Sequence, residues 1–443
     1  MSSEDDVARV FGDVVRVQRM LDVEVALARA EAAAGVIPQL AAEAIAAAAD
    51  VGRFDLAALH GDARTAGNLA IPLVKALTTV VAAQNERASH FVHWGATSQD
   101  IIDSGLVLQL REAVPIVVRD LRRAAAAATR HATRHARTTM AGRTWLQQAT
   151  PITFGLKAAG WLDALSRVTT GLETALHGAL VLQFGGASGT LAALGADGLN
   201  VASRLGALLD LHVPPAPWHA HRDRLATLAC ALGVTCGTLG KIARDLSLLG
   251  QTEVQEVVEA AGKAGGSSTM PHKRNPVRAS RILASALRAP GLVATMLSAM
   301  PHEHERGLGG WQAEWDVLPE LVIVAAAAAA ATADVLEELD VRPDAMARGL
   351  AVTNGLTMAE SVATALAVHV GRPEAHRLVE RAAAQAIERG VPFAAALTAD
   401  TDVTRHLDRG AIADALAPDD YLGVAVQFIG RVLAATASRT PHE

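Results

Sequence analysis

The chain has 443 residues, more than one hydrophobic core usually serves, and 51% of them are hydrophobic while only 3% are aromatic. This apolar content is mostly Ala, Leu and Val, which favours close-packed helices over sheets. The net charge of −6 excludes the basic footprint typical of proteins that bind nucleic acid or anionic membranes.

The N-terminal residues, the cysteines and the longest apolar tract argue against a secreted, disulfide-rich or membrane protein. Residues Met1–Asp6 are acidic where a signal peptide would be basic and then apolar, so we expect a cytoplasmic protein. Cys230 and Cys236 are too few for a disulfide framework and are expected to be reduced packing residues. The longest apolar tract, Leu321–Ala331, is too short to span a bilayer, and no membrane partner is predicted.

Long helices are predicted along much of the chain. Ala-rich stretches without internal Gly-Pro breaks predict helices at 161–182 and 321–339, as in a helical bundle. Between them, apolar residues recur at three- and four-residue steps over 239–257 and predict another helix. Lys241 and Asp245 form a four-residue charge pair on it.

Polar breaks divide the helices into three predicted domains. These are an N-terminal helical domain at 1–110, a central long-helix bundle at 111–354 and a C-terminal helical domain at 355–443. Several breaks hold polar residues that a helical core would exclude, so they are the places to look for a functional site.

The first such break is 93–103, with the sequence HWGATSQDIID. Thr97 and Ser98 stand at the predicted start of a helix, where unsatisfied N–H groups and the helix dipole favour a carboxylate. A plain N-cap by either residue is the alternative interpretation. His93 alone would be a structural histidine, and its place in this turn makes it a candidate site residue.

The most informative segment is 265–276, with the sequence GGSSTMPHKRNP. Two glycines open the backbone, two hydroxyls stand side by side, and Lys273 and Asn275 alternate with other side chains. This pattern predicts a mobile loop that closes over an anion. A solvated Gly/Ser connector would need none of these residues at fixed offsets.

From Gly266 to Pro276 the segment resembles the signature of the fumarase/aspartase superfamily, Gly-Ser-Ser-x-Met-Pro-x-Lys-x-Asn-Pro. The resemblance implies an all-α fold with a long central helical bundle and smaller helical N- and C-terminal domains. It also implies a homotetramer whose active sites are shared between subunits. Ser267 would exchange a proton with the carbon next to a substrate carboxylate, and Lys273 and Asn275 would help to hold that carboxylate. The expected substrate is a small polycarboxylate.

The resemblance extends over nearly the whole chain, through 93–103, 142–155 and 302–315. It implies Ser267 as the catalytic residue, and the implied substrate-binding residues are His93, Thr97, Ser98, Thr144, Trp145, Gln148, Ser268, Met270, Lys273 and Asn275.

Two departures narrow the chemistry. Relatives that eliminate an amine or hydroxide usually carry a histidine where Trp145 stands and a glutamate where Ser280 stands. Adenylosuccinate lyases carry an arginine, suited to a nucleotide phosphate, where Trp315 stands. With these replacements the chain resembles the lactonising branch of the superfamily, the carboxymuconate cycloisomerases.

Lactonisation explains why this branch needs no histidine. The nucleophile is a carboxylate of the substrate itself, already ionised and tethered, so no base has to activate it. In the reverse direction that carboxylate leaves with a pKa near 4 and needs no general acid. A proton donor, Ser267, and a cradle for the charge that develops on a second carboxylate are what the reaction still requires.

Two other functions stay open on the sequence alone. One is a carbon–nitrogen lyase acting on a succinyl-type substrate, and the other is a catalytically silent relative kept as a structural protein. No cofactor or metal is predicted, since His131 and His135 stand four apart without a third ligand at metal spacing. The arginines between Arg119 and Arg137 are expected at a surface or subunit contact and not on nucleic acid.

Overall fold

A computed structural model describes residues 2–259, 270 and 273–438. The protein is 72% helical with a few short strands, which confirms the all-α prediction. The fold subdivides into short N-terminal helices, long helices in the middle of the chain and short C-terminal helices.

The helices before residue 90 are α1 Ser3–Val10, α2 Asp13–Ala33, α3 Gln39–Ala48, α4 Leu56–Ala66, α5 Ala70–Ala82 and α6 Glu86–Ser89. The middle helices are α7 Ser98–Arg134, α8 Phe154–Ala179, α9 Gly198–Leu209, α10 Asp223–Leu249, α11 Val277–Ala299 and α12 Gly310–Glu337. The C-terminal helices are α13 Pro343–Ala351, α14 Ala359–Val370, α15 Arg372–Arg389, α16 Phe393–Ala399, α17 Thr401–Thr404, α18 Arg409–Ala415 and α19 Ala425–Ala437. The strands are β1 Thr139–Thr144, β2 Gln147–Thr153, β3 Val257–Val258 and β4 Asp340–Val341.

The helices predicted at 161–182 and 321–339 are confirmed as parts of α8 and α12. The helix predicted over 239–257 is wrong in its second half, because α10 ends at Leu249. Beyond it the backbone N–H of Glu256 returns to the carbonyl of Leu249, and β3 pairs with β4. A short paired strand thus carries Val257, the last apolar residue that the periodicity assigned to the helix.

The structure divides into two compact units. The first comprises Met1–Leu121, Val168–Leu239 and Ala284–Ala330, and the second comprises Arg122–Arg167, Gly240–Leu283 and Ala331–Glu443. Both boundaries of the three-domain division at 110 and 354 stay a prediction.

In the first unit, α2 packs against α3 and α9. It also lies close to α7, where a Cβ on Gly105 would stand 3.3 Å from Cγ of Met20. A glycine there permits the close approach of the two helices that carry several site residues.

In the second unit, β1 and β2 form an antiparallel hairpin on which α13 packs. Helices α14 to α18 enclose a separate apolar core around Val362, Leu378, Phe393 and Leu407. Lys241 and Asp245 of α10 form the predicted ion pair, and Asp245 also accepts a bond from the indole N–H of Trp161 at 2.8 Å.

Three helices, α10, α11 and α12, are long and apolar enough to cross a membrane by length and composition. The tract Leu321–Ala331, judged too short from the sequence, lies within the 28 residues of α12. Burial distinguishes the three helices. Of the most apolar 18 residues in each, 56% are buried in α10 and 67% in α12, but only 22% in α11. Helix α11 therefore has an apolar surface that the described residues do not cover.

Glu31, on α2, is a buried acid without a hydrogen-bond partner in the part of the chain that the structure describes. Burial and then the negative charge of Glu24 raise the pKa of Glu31 to about 9. A folded-state pKa above the unfolded value means that the folded protein holds this proton more tightly. Its contribution to stability is therefore complete below about pH 4.5 and is lost as the pH rises towards 9.

Replacing Glu31 with glutamine, which does not titrate, is expected to flatten the pH dependence of stability. Between pH 5 and pH 8.5 the wild-type free energy of unfolding should fall by on the order of 2–4 kcal/mol more than that of Glu31→Gln. Urea titrations at a series of pH values measure this difference. The exposed Glu43 provides a matched control, Glu43→Gln, and equal slopes for wild type and Glu31→Gln would refute the assignment.

Candidate active site

The predicted anion-binding turn lies at the start of α7 and is anchored by Asp100. This fully buried carboxylate accepts the backbone N–H of Thr97 at 3.0 Å. It also accepts the backbone N–H groups of Gly185 and Gly186 at 3.0 and 2.9 Å and contacts Nε2 of His219 at 2.7 Å. Asp100 therefore fixes the turn to a glycine loop distant in sequence and orients the start of the helix.

The hydroxyls of Thr97 and Ser98 have no hydrogen-bond partner among residues 2–259, 270 and 273–438. They stand at the positive end of a helix of 37 residues. A side chain that capped the helix would have its oxygen bonded to a backbone N–H of the first turn. The plain N-cap interpretation therefore lacks its hydrogen bond, and both hydroxyls are available to a ligand.

His93 precedes this turn and is held by Glu24 of α2. Its backbone is left-handed, with φ of 58°, and its Nδ1 lies 2.6 Å from Oε1 of the buried Glu24. Burial disfavours the charged imidazole, but the charge and hydrogen bond of Glu24 outweigh it, so the pKa of His93 is raised. The ring is 18% exposed, and Nε2 has no partner within the described residues. The ring of His93 therefore takes up a proton more readily than a free imidazole and lies beside the turn.

Removing the Glu24 charge should lower the pKa of His93. The variant Glu24→Gln keeps a hydrogen-bonding side chain of nearly the same shape, so burial is then opposed only by the smaller effect of the Asp100 charge. Titration of the imidazole signals by NMR measures the pKa. The exposed Glu86 gives the control Glu86→Gln, and an unchanged pKa in Glu24→Gln would show that Glu24 does not control His93.

A buried ionic network supports the first turns of α7 and α12. Arg222 is 1% exposed, and its guanidinium bonds Asp103 at 2.6 and 3.2 Å and Glu314 at 2.5–3.1 Å. Trp311 donates its indole N–H to Asp103 at 2.9 Å, and Gln99 donates to the same carboxylate at 3.0 Å. Arg222 thus connects α7 to α12. Through Asp103 the network also fixes Gln99, the residue that follows Ser98.

Burial is the main cause of two pKa shifts in and beside this network. Burial raises the pKa of Glu314, although Arg222 opposes the shift. Burial and then the charge of Arg222 lower the pKa of His302, whose Nδ1 lies 3.3 Å from the carbonyl of His219. His302 therefore adds a neutral ring beside the arginine.

Thr144, Trp145 and Gln148 lie on the β1–β2 hairpin of the second unit. Trp145 and Leu146 form its two-residue turn, with φ of 52° and 64°. Turns with two positive φ values favour Asn and Gly, so a tryptophan here costs backbone energy. Trp145 is 97% exposed. The structure therefore holds a large apolar side chain in solvent, in an unfavourable conformation, at the position that replaces the usual histidine.

The hairpin is fixed to neighbouring segments of its own unit. Arg143 makes two bonds of 2.9 and 2.7 Å to the fully buried Glu256. Gln148 donates to the carbonyl of Gly349 at 2.8 Å. Gln148 is thus occupied in positioning the hairpin through its amide nitrogen, while its amide oxygen is buried without a partner within the described residues.

Ser267 and Ser268 lie outside the residues that the structure describes. Of the same signature, Met270 is 42% exposed, and Lys273 and Asn275 are exposed. Glu259 accepts the backbone N–H groups of Arg278 and Ala279, at 3.1 and 2.9 Å, at the start of α11. This carboxylate caps α11, and it links the chain before the signature segment to the helix that follows it.

The structure brings together His93, Thr97 and Ser98 in the first unit and Thr144, Trp145 and Gln148 in the second. Sequence reasoning missed the residues that hold them, which are Glu24, Asp100, Asp103, Arg143, Arg222, Glu256, Glu259 and Glu314. The position of Asp100, three residues after Thr97, was a usable signal, because an acidic residue at that spacing marks the first turn of a helix.

The two histidines considered as metal ligands have other partners. Nε2 of His131 lies 2.8 Å from the carbonyl of Leu336, and Nδ1 of His135 lies 3.1 Å from the hydroxyl of Thr138. Within the described part of the chain, no group of three or more His, Cys, Asp or Glu side chains is placed to hold a metal ion.

Comparison with known proteins matches the chain to two family descriptions. Residues 2–291 match the family described as lyase, and residues 355–432 match the adenylosuccinate lyase C-terminus.

Individual relatives cover nearly the whole chain. The 3-carboxy-cis,cis-muconate cycloisomerase of Pseudomonas aeruginosa is 51% identical over 96% of this chain and 93% of its own length. A nitrosuccinate lyase of Streptomyces davaonensis is 40% identical over 98% of this chain and 94% of its own. The crystal structure of the 3-carboxy-cis,cis-muconate lactonizing enzyme from Pseudomonas putida superposes with a TM-score of 0.94 at 45% identity, covering 99% of this chain and 98% of that one.

Proposed function

The chain belongs to the lyase family, the fumarase/aspartase superfamily that its signature resembles, and on this basis we propose that it is a cycloisomerase that converts 3-carboxy-cis,cis-muconate to its lactone. The observation that best supports an anionic substrate is the turn at the start of α7. There Thr97 and Ser98 present hydroxyls without side-chain or backbone partners in the described structure, beside His93, whose pKa Glu24 raises.

The reaction is an intramolecular addition. One substrate carboxylate attacks an alkene carbon and forms the C–O bond of the lactone. The π electrons move to the neighbouring carbon and onto the carboxylate attached to it, which becomes an aci-carboxylate. Ser267 then gives its hydroxyl proton to that carbon and regains a proton from solvent, so that atoms and charge balance.

The cradle for the aci-carboxylate is made of donors already oriented before the reaction. Thr97 and Ser98 lie at the positive end of α7, which Asp100 locks in place. The family resemblance assigns three further donors to this cradle: Lys273 as a cation, Asn275 as an amide and Thr144 as a third hydroxyl. Fixed donors aimed at developing charge lower the barrier without reorganisation during the reaction.

The choice of lactonisation over amine release rests on Trp145. An amine is a strongly basic leaving group that requires a general acid, whereas a carboxylate with a pKa near 4 does not. Trp145 has no titratable proton where amine-releasing relatives carry a histidine. Nitrite is also a weakly basic leaving group, so nitrosuccinate needs its own arm in any test.

A substrate panel tests the proposal. Purified enzyme is expected to remove the diene absorbance of 3-carboxy-cis,cis-muconate rapidly and to be nearly inert with adenylosuccinate, argininosuccinate and aspartate. Nitrosuccinate, followed by nitrite release, is expected to react far more slowly than the diene.

Each outcome of the panel decides between functions. Amine or nitrite release at a rate comparable to lactone formation would overturn the assignment in favour of a carbon–nitrogen lyase. Inertness toward all five compounds would favour the structural, catalytically silent relative.

We also propose that the enzyme is a homotetramer with active sites shared between subunits. Trp145 stands in solvent at the tip of its hairpin, and α11 exposes Leu287 and Leu297 to 77% and 46%. Burial of such surfaces is the usual driving force for stable association. A monomeric mass by light scattering at the assay concentration, with full activity, would contradict this arrangement.

The remaining assignments complete the proposal. We propose that the enzyme works in the cytoplasm, that its substrate is a small polycarboxylate in aromatic catabolism, and that it binds neither nucleic acid nor membrane. The three-domain division at 1–110, 111–354 and 355–443 is proposed as the organisation of the family fold.

A further inference from the structure

A cavity of about 460 Å³ lies in the first unit among α2, α4, α7 and α12. Its size is in the range of small-molecule sites. Met20, Ile102, Leu106 and Pro319 give it an apolar floor, and its polar lining residues are Arg16, His60, Arg64, Asn68, Gln109, Trp315 and Asp316.

Two cations on the lining, Arg16 and Arg64, have no ion-pair partner within residues 2–259, 270 and 273–438. Their neighbour Arg19, also on α2, differs, because it pairs with Asp22 at 2.6 Å and Glu112 at 2.5 Å. Arg16 and Arg64 thus differ from this paired neighbour, and both line the same cavity.

The other charges on the lining leave the cavity positive. His60 contacts the exposed Asp13, with Nε2 at 3.2 Å from the carboxylate. The acidic lining residue is Asp316, which is solvent-exposed and has no ion pair with either arginine. The lining therefore carries two guanidinium groups and one carboxylate, an excess of positive charge.

Trp315 adds a flat wall with a free donor. Its indole N–H is buried and has no acceptor in the described structure. The ring packs edge-on against Trp311 with centroids 4.9 Å apart, and Trp311 is fixed in turn by its bond to Asp103. An unpartnered buried N–H costs free energy unless a ligand accepts its hydrogen bond.

The cavity adjoins the proposed catalytic turn. On α2, Met20 lines the cavity and Glu24, four residues later, holds His93. On α7, Ile102 lines it and Ser98 stands four residues earlier. Four residues are about one helical turn, or roughly 6 Å along the axis, so a bound polycarboxylate can reach both places.

We infer that this cavity binds the third carboxylate of the substrate and that Arg16 and Arg64 are the specificity-determining residues of the cavity. The third carboxylate is the one that neither attacks the alkene nor is attached to the protonated carbon. The inference rests on the proposed function for the identity of the ligand. A guanidinium binds a carboxylate through paired N–H donors, and the indole N–H of Trp315 supplies a further donor. The apolar floor and the flat ring suit a conjugated carbon skeleton.

A pair of inert ligands isolates the third carboxylate. Propane-1,2,3-tricarboxylate and glutarate share a five-carbon diacid chain and differ by the central carboxylate. Calorimetry with the full-length wild-type enzyme is expected to show that the tricarboxylate binds at least about tenfold more tightly, as a charged hydrogen bond predicts. In Arg16→Gln and Arg64→Gln this ratio should fall below about threefold, while glutarate affinity changes by less than about twofold.

The exposed Arg53, also in the first unit, gives the control Arg53→Gln, in which the ratio should stay at the wild-type value. Equal weakening of both ligands, or an unchanged ratio in both variants, would overturn the inference.

Turnover of 3-carboxy-cis,cis-muconate is measured on the same preparations and separates the two claims. If the wild type forms lactone and the ratio does not change in the variants, the inference fails and the proposed function stands. If the ratio collapses in the variants of an enzyme that forms no lactone, the anion site stands and the proposed function fails.

Discussion

Ser267→Ala is expected to reduce kcat for lactone formation at least about 100-fold, because general acid catalysis is typically worth that much. The residue is the first serine of the signature, where the superfamily places its proton donor. The signature is predicted from its sequence to be a loop, and a loop hydroxyl contributes little to packing, so the thermal midpoint should stay within about 2 °C of wild type. Loss of activity without loss of stability is the result that identifies a catalytic group.

The measurement is the initial rate of disappearance of the diene, with calorimetric melting of the same sample. Ser203→Ala is the control, since Ser203 is an exposed serine on α9, outside every segment of the proposed site. It should retain nearly full activity. More than about a tenth of the wild-type rate in Ser267→Ala would exclude Ser267 as the proton donor.

Arg222→Met is expected to lower the free energy of unfolding by about 3–5 kcal/mol, the usual cost of removing one partner from a buried ion pair. Asp103 and Glu314 are each 1% exposed, and the substitution would leave both carboxylates without their cation. Methionine preserves much of the side-chain volume, so the effect reports charge and hydrogen bonding more than packing.

Urea unfolding at matched protein concentration measures this change. The control is Arg9→Met, because Arg9 pairs with Asp6 at 3.1 Å but is 63% exposed, and exposed pairs contribute about 1 kcal/mol or less. A loss in Arg222→Met no larger than in the control would show that the network does not support the fold.

The sequence predicted the parts of the molecule that depend on local pattern. Apolar periodicity and alanine content located α8 and α12, and a helix-start pattern located the turn at Thr97 and Ser98. It failed where a local signal was ambiguous: the apolar steps beyond Leu249 fit a helix, yet that segment returns to pair as β3.

Other features left no local trace at all. Arg222 is separated from Asp103 and Glu314 by 119 and 92 residues, so their spacing carries no period that a sequence pattern could reveal. Trp145 was expected to bind the substrate, and nothing in the neighbouring residues predicted a turn with two positive φ values. Such features depend on tertiary packing, which overrides local propensity.

NMR of the reaction in D2O tests the central claim most directly. If the protein is a cycloisomerase, the alkene signals of 3-carboxy-cis,cis-muconate will disappear with the appearance of a lactone that carries a single solvent-derived deuterium on the carbon next to a carboxylate. The deuterium should appear there because the serine hydroxyl exchanges with solvent before it protonates carbon. Unchanged diene signals at stoichiometric enzyme, or a product without the lactone ring, would contradict the account.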